Sequence, residues 1–188
     1  MSINITQKAH SLIADYFKGR RIDYAIDATL GGGRDALFLA SLLKEGGKVF
    51  GFDVQLEAVM RSTKLFEKNN LSHLAEFFNC GHEHLAEKVG QFAIGKTGCV
   101  MFNLGWLPNS DKTCITRPDT TSMALKQAYE LLLKSGGVLS VASYRGHNGG
   151  VDEFLAVKDF FDTLLKDKYE VYSDENCDVS PVLFLAKF

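Results

Sequence analysis

Apolar residues near the start of the chain recur at helical spacing. Ala9, Leu12, Ile13 and Tyr16 share one face, which predicts an amphipathic helix over Ile5–Phe17, stopped by Gly19 and the basic pair Arg20-Arg21. The period then changes. Short apolar runs of strand type occur at Tyr24-Ala25-Ile26, Lys48–Phe52, Glu76–Asn79, Gly98–Phe102 and Val138–Ser143. Helical patterns lie between them. One runs from Ala36 through Leu43, and a second from Leu56 to Lys68 with Leu56, Val59, Thr63 and Phe66 expected inward. A short helix follows Cys80–His84, and the clearest pattern, Thr120 to Leu133, puts Ala124, Leu125, Ala128, Leu131 and Leu132 on one face. After a helix over Asp152–Leu165 come two more strand runs, Tyr169–Ser173 and Val182–Phe188, with no helix between them. Without a crossover those two must pair antiparallel. The order predicts an α/β chain with a doubly wound, mostly parallel seven-stranded sheet and an antiparallel C-terminal strand. No repeat, low-complexity stretch or linker interrupts it, so residues 1–188 read as one domain.

The junction between the first strand and its helix is where chemistry is expected. Three consecutive glycines, Gly31 to Gly33, break the pattern, and a turn of this kind lets backbone approach a ligand closely. The following helix would turn unpaired N–H groups toward that ligand. The spacing Gly31-x-Gly33-x-x-Ala36 also fits a loose dinucleotide fingerprint, with Asp53 twenty residues beyond Gly33. A plain turn closing a strand–helix unit would use the same glycines. Asp27 and Asp53 add to the picture, because each ends a strand and both would meet at the carboxyl edge of a parallel sheet. Two acids there suit a cofactor with an amino group and a ribose diol better than one with a pyrophosphate.

Composition narrows the classes. The chain has 188 residues, 46% of them apolar, enough for one good core, and a formal charge of −2, which gives no general attraction to nucleic acid. An RNA partner would require basic residues gathered locally; Arg20, Arg21, Lys112, Arg117 and Lys126 are the candidates. Cys80, Cys99, Cys114 and Cys177 form no C-x-x-C pair and no signal peptide precedes them, so reduced thiols in a soluble, cytoplasmic protein are expected. Cys80-x-His82-x-His84 alternates across a strand–helix junction, which is poor for a tetrahedral site, and no metal is expected. His10 reads as a half-buried packing residue beside the apolar stripe or a residue at the rim of the site.

Several motifs in order resemble a known family. They are Asp27-Ala-Thr29-x-Gly31-x-Gly33-x-Asp35, Phe52-Asp53-x-Gln55, Gly81-His82-Glu83, Phe102-Asn103-Leu-Gly-x-Leu-Pro108, Asp111-Lys112, Thr120-Thr121, and Tyr144-x-Gly146-His147-x-Gly149-Gly150. Together, from about His10 to the C-terminus, the chain resembles the YtqB-type rRNA methylase family, understood as tRNA wobble-uridine methyltransferases. The sequence departs from the usual pattern at Gly32, Arg34, Trp106, Asn109-Ser110 and Arg145. The resemblance implies a class I methyltransferase fold and S-adenosylmethionine as cofactor. It implies a tRNA anticodon-region substrate, the amine of 5-aminomethyl-(2-thio)uridine being converted to its methylaminomethyl form. Cofactor-binding positions carried over are Asp27, Thr29, Gly31, Gly33, Asp53, Gln55, Gly81, His82 and Asn103. Asp27 is expected near the methionine amino group, Asp53 on the ribose hydroxyls, and His82 with Glu83 as the adenine-side wall.

The substrate amine resembles lysine, with an ordinary pKa of about 10, and must lose a proton before it attacks. Asp35, Tyr144 and His147 are the titratable groups in motif positions, His147 being the group best matched to take a proton at neutral pH. Asn103 would orient the amine, in partial analogy to the Asn-Pro-Pro-Tyr motif of amino methyltransferases. Trp106 is a candidate for stacking on a flipped base, or else a core aromatic. Asp111 is expected to cap its own loop. A homodimer is expected from the apolar N-terminal helix and C-terminal strands, with Phe184 and Phe188 as core or dimer contacts. The alternatives are an rRNA methyltransferase, a nicotinamide-dependent oxidoreductase, which would lack its Tyr-x-x-x-Lys, and a non-catalytic RNA-binding module.

Overall fold

The computed structural model describes residues 4–105, 115–166, 168–174 and 180–188. Trp106, Asp111, Lys112, Cys114 and Cys177, and the expectations attached to them, lie outside the described residues. In chain order the elements are α1 (Ile5–Tyr16), β1 (Ile22–Asp27), α2 (Arg34–Ala40), β2 (Leu43–Phe52), α3 (Leu56–Lys68), β3 (Ala75–Phe78) and α4 (Leu85–Val89). They continue as β4 (Thr97–Asn103), α5 (Pro118–Ser135), β5 (Val138–Ser143), α6 (Gly150–Phe160), β6 (Tyr169–Tyr172) and β7 (Val182–Lys187).

The strands form one sheet in the order β3-β2-β1-β4-β5-β7-β6. Neighbours from β3 to β5 are parallel, and β7 runs antiparallel to both β5 and β6. Alternation along the strands divides the core into two layers. Ile26, Phe50, Val100 and Leu139, in register across four strands, pack under α4, α5 and α6. Their neighbours Ala25, Val49, Cys99 and Val138 pack under α1, α2 and α3. β1 and β4 sit at the centre, so Asp27 and Asn103 emerge side by side at the carboxyl edge. β1 and β4 also mark the point where the winding reverses, the usual crevice of an open α/β sheet.

Three helices differ from the hydrophobic pattern. α2 stops at Ala40 rather than running through Leu43, because Leu42 already accepts a hydrogen bond from Ile22 N–H and Leu43 pairs with Ile22 in the sheet. α3 has the expected bounds but another phase. Ala58, Ser62 and Phe66 are buried, whereas Leu56 is 58% exposed and Thr63 is exposed. The cause is Gly33: a Cβ there would lie 2.7 Å from Ser62 Oγ, so the helix meets the glycine turn through a small polar residue. α6 ends at Phe160, and Phe161–Leu165 forms a single π turn.

Gly33 has φ +75 as well as that contact. Gly33→Ala should therefore cost about 1–2 kcal/mol for the left-handed backbone alone. Thermal unfolding should show it as a fall of about 2–8 °C, and an unchanged midpoint would contradict the packing described.

Much of the apolar surface behind the expected dimer packs within the chain, while Val171 on β6 is 51% exposed. Ile5, Ala9 and Ile13 of α1 are buried, β7 lies between β5 and β6, Phe184 is 2% exposed, and Phe188 packs edge-on against Tyr129. Arg20 and Arg21 precede β1, at the opposite edge of the sheet from Asp27, and bond the carbonyls of Tyr16 and Ser41. Among the described residues no helix is long and apolar enough to cross a membrane.

Candidate functional site

The glycine turn is held by two carboxylates. Asp27 accepts hydrogen bonds from Thr29 N–H (3.2 Å) and Ala36 N–H (2.9 Å). Asp53 accepts from Gly31 N–H (2.9 Å) and Gln55 N–H (2.8 Å). The donors expected to face a ligand at the start of α2 are thus partly taken by the protein itself. Asp27 is 1% exposed, so it braces the turn from beneath instead of presenting an oxygen at the surface. Asp53 is half-buried at the end of β2, with Val54, 58% exposed, beside it. Thr29 Oγ1 accepts from Asn103 N–H at 2.6 Å, which ties the turn to the end of β4.

Asp35, in the first turn of α2, is the hub of the second half of the site. It is 8% exposed; Oδ2 receives the Asn103 side-chain amide, and Oδ1 lies 2.6 Å from His10 Nε2. Asn103 Oδ1 is buried with no hydrogen-bond partner among the described residues. Such an acceptor is costly to leave unpaired and marks a place for a donor. Tyr144, just beyond β5, lies beside the Thr6 side chain. Burial first, with the Asp35 charge also contributing, pushes its phenol up from the ordinary value. Thr6 and His10 are four residues apart on α1, so one face of that helix reaches both Tyr144 and Asp35. Sequence reading left His10 as a packing residue or one at the rim of the site, and paired neither His10 with Asp35 nor Thr6 with Tyr144. The signal was a polar pair at helical spacing beside the Ala9–Ile13 stripe, with partners far along the chain.

Asp35, Asn103 and Tyr144 come together as expected. His147 turns elsewhere: its Nδ1 is 3.0 Å from Asn148 O, and Nε2 lies beside Gly105 and Gly150. It lies near Glu153, a residue the sequence did not single out. Glu153 is 1% exposed and accepts from Thr121 Oγ1 (2.6 Å) and Thr116 Oγ1 (2.7 Å). Thr116 Oγ1 in turn accepts from Gly105 N–H at 2.8 Å, and Thr116 N–H donates to Gly105 O at 3.0 Å. His82, expected as an adenine-side wall, is 6% exposed, close to the Ala28 backbone and 3.5 Å from Thr121 Oγ1. Burial lowers its pKa, and it supports the base of the glycine turn. The Glu83 carboxylate folds over Gly81. Cys80, His82 and His84 diverge, His84 being exposed beside Glu87.

Burial raises the pKa of Asp27, Asp53 and Glu153, and for Asp27 the Asp35 charge adds to it. Each native carboxyl therefore binds its proton more tightly than the unfolded chain does. The resulting stabilisation is complete below the ordinary values of 3.8 for Asp and 4.5 for Glu and is lost as pH rises through the raised native values. Buried His82, whose pKa is lowered, works the other way below its ordinary value of 6.5, so the carboxyl share is read from a variant: the melting temperature of the parent relative to Glu153→Gln should rise as pH falls toward 4.5. A difference that stays constant with pH would contradict the burial of Glu153.

A glycine turn at the carboxyl edge of a central strand, acids at two strand ends and this sheet order define a class I methyltransferase fold. Solved structures agree. One from Clostridium thermocellum has a TM-score of 0.86 at 34% identity, with both chains fully covered. One from Streptococcus mutans, in complex with SAH, has a TM-score of 0.80 at 28% identity, covering 100% of this chain and 99% of that one. Residues 49–185 match the family described as "Putative rRNA methylase", and the chain belongs to that family. The chloroplastic tRNA (mnm(5)s(2)U34)-methyltransferase of Arabidopsis thaliana is 36% identical over 146 residues, 73% of this chain and 52% of that protein. The chain thus spans about half the length of that curated relative.

Proposed function

We propose that this chain is an S-adenosylmethionine-dependent RNA N-methyltransferase. Its substrate is the amine of 5-aminomethyl-(2-thio)uridine at the tRNA wobble position. The observation that carries the reading is the gathering of Asp27, Asp35 and Asp53 around one glycine turn, next to the unpartnered Asn103 Oδ1. The charges of Asp35 and Asp53 both add to the cost of ionising buried Asp27, and three carboxyl groups so close favour cationic ligands, here a sulfonium cofactor and an amine, and oppose a pyrophosphate. The names carried by the Arabidopsis relative and the Streptococcus mutans complex support the same choice of substrate and cofactor.

When bound, S-adenosylmethionine supplies a methyl group on a positively charged sulfur, open to displacement by an uncharged amine. The chain's own residues do the rest. Backbone at Gly31 and Gly33 allows close approach, with Thr29 and Gln55 fixing the turn and the start of α3. Asp53 would accept hydrogen bonds from the ribose hydroxyls, and Gly81 would lend backbone nearby. Asp27 contributes charge from beneath the turn, and His82 supports that turn. Asn103 Oδ1 accepts an N–H of the target amine and aligns its lone pair, while Asp35 holds the ammonium form and receives its proton. Tyr144 closes the side toward α1, and His147 holds the loop after β5 against Gly105.

Calorimetric titration separates this reading from a nicotinamide-dependent one. S-adenosylmethionine and SAH should bind and NAD should not. Binding of NAD with none of S-adenosylmethionine would overturn it.

A further inference from the structure

We infer that His10, on the N-terminal helix, is the proton-carrying partner of Asp35, so that the base readying the target amine is the Asp35–His10 pair. The inference rests on the amine methyltransferase reading above. His10 Nε2 lies 2.6 Å from Asp35 Oδ1, and its ring stacks on Phe38 with centroids 4.0 Å apart and planes 11° apart. The imidazole is therefore fixed in both distance and plane. Its helix is anchored by buried Ile5, Ala9 and Ile13 and by the Thr6 contact to Tyr144. The Asp35 side chain is 11% exposed and that of His10 25%, so the imidazole is the end of the pair that meets water.

The charged and titratable groups around the pair come from each neighbouring element. Asp27 at the end of β1, Cys99 in β4 and Tyr144 beyond β5 all feel the Asp35 charge. Asn103 holds the other Asp35 oxygen. None of these meets water as His10 does while touching Asp35. Asp27 and Cys99 are buried, and Tyr144 is held by burial above its ordinary range. In the reaction, an N–H bond of the bound ammonium breaks and its electron pair stays on nitrogen. The proton is bound at Asp35, and the pair then carries one proton more, which leaves to water from the imidazole. The freed lone pair forms the new N–CH3 bond as the S–CH3 bond breaks, its electrons returning to sulfur.

The test is single-turnover methylation of tRNA carrying 5-aminomethyl-2-thiouridine, at saturating cofactor, from about pH 6 to about pH 10. The parent is compared with His10→Gln, which keeps a hydrogen-bonding group at the same reach but cannot be protonated, and with His10→Ala. At neutral pH His10→Gln should be slower by about 100-fold, the scale of general base catalysis. The deficit should shrink as pH approaches the amine's own pKa of about 10, where no base is needed. Cofactor affinity, measured by calorimetry, should stay within about twofold of the parent in both variants, which also reports that they fold. A His10→Gln rate equal to the parent's would overturn the inference, as would a deficit constant across the pH range. A parent that methylates RNA elsewhere but never this amine overturns the functional reading itself, an outcome read before any variant is made.

Discussion

Replacing Asp53 with alanine should weaken S-adenosylmethionine binding about 10- to 150-fold, measured by calorimetry. In the function proposed above the carboxylate accepts hydrogen bonds from the ribose diol, and bonds to a charged acceptor are worth about 1.5–3 kcal/mol. Asp53 also holds Gly31 N–H and Gln55 N–H, so its loss loosens the glycine turn and the start of α3 together. Asp53→Asn, which keeps one acceptor oxygen, should fall between parent and alanine. Equal affinity in parent and alanine variant would remove Asp53 from the cofactor site.

Asp35→Asn should act on a different quantity. Asp35 sits between His10 and the Asn103 amide, and an amide in its place can neither hold an ammonium by charge nor take its proton. Single-turnover transfer to the amine should fall about 100-fold or more at neutral pH, while cofactor affinity changes far less. Loss of cofactor binding in proportion to rate would make Asp35 part of the cofactor cradle and not of the chemistry.

The contrast between α5 and α3 explains how much of the fold the sequence carried. Beyond Thr121 the inner face of α5 is apolar, so its period is readable and Ala124, Leu125, Ala128, Leu131 and Leu132 are all buried. α3 meets the sheet where Gly33 leaves room only for Ser62, and a small polar residue on the buried face hides the phase. The terminal antiparallel pair was readable because two strand runs without a helix have only one way to join.

The site divides in the same way. Asp27, Asp53 and the glycines are set by local strand–turn–helix chemistry, and Asp35 and Asn103 follow strand ends that the parallel order brings together. Glu153, and the pairing of His10 with Asp35, were hidden because their surroundings are made by distant residues. A histidine beside an apolar stripe reads as packing or as a rim residue until Asp35, 25 residues away, lies against it. A glutamate in a polar helix start reads as solvated until Thr116 and Thr121 enclose it. For His147 and His82 the motif position did not say which way the ring turns: His147 meets Gly105 and Gly150, and His82 lies at the base of the glycine turn.

The most direct test of the account uses tRNA carrying 5-aminomethyl-2-thiouridine at the wobble position, methyl-labelled S-adenosylmethionine and the unmodified protein. After digestion to nucleosides, the account predicts one labelled methyl on the exocyclic amine of that nucleoside and none in ribosomal RNA treated alongside. Label in ribosomal RNA with the wobble amine untouched would contradict it.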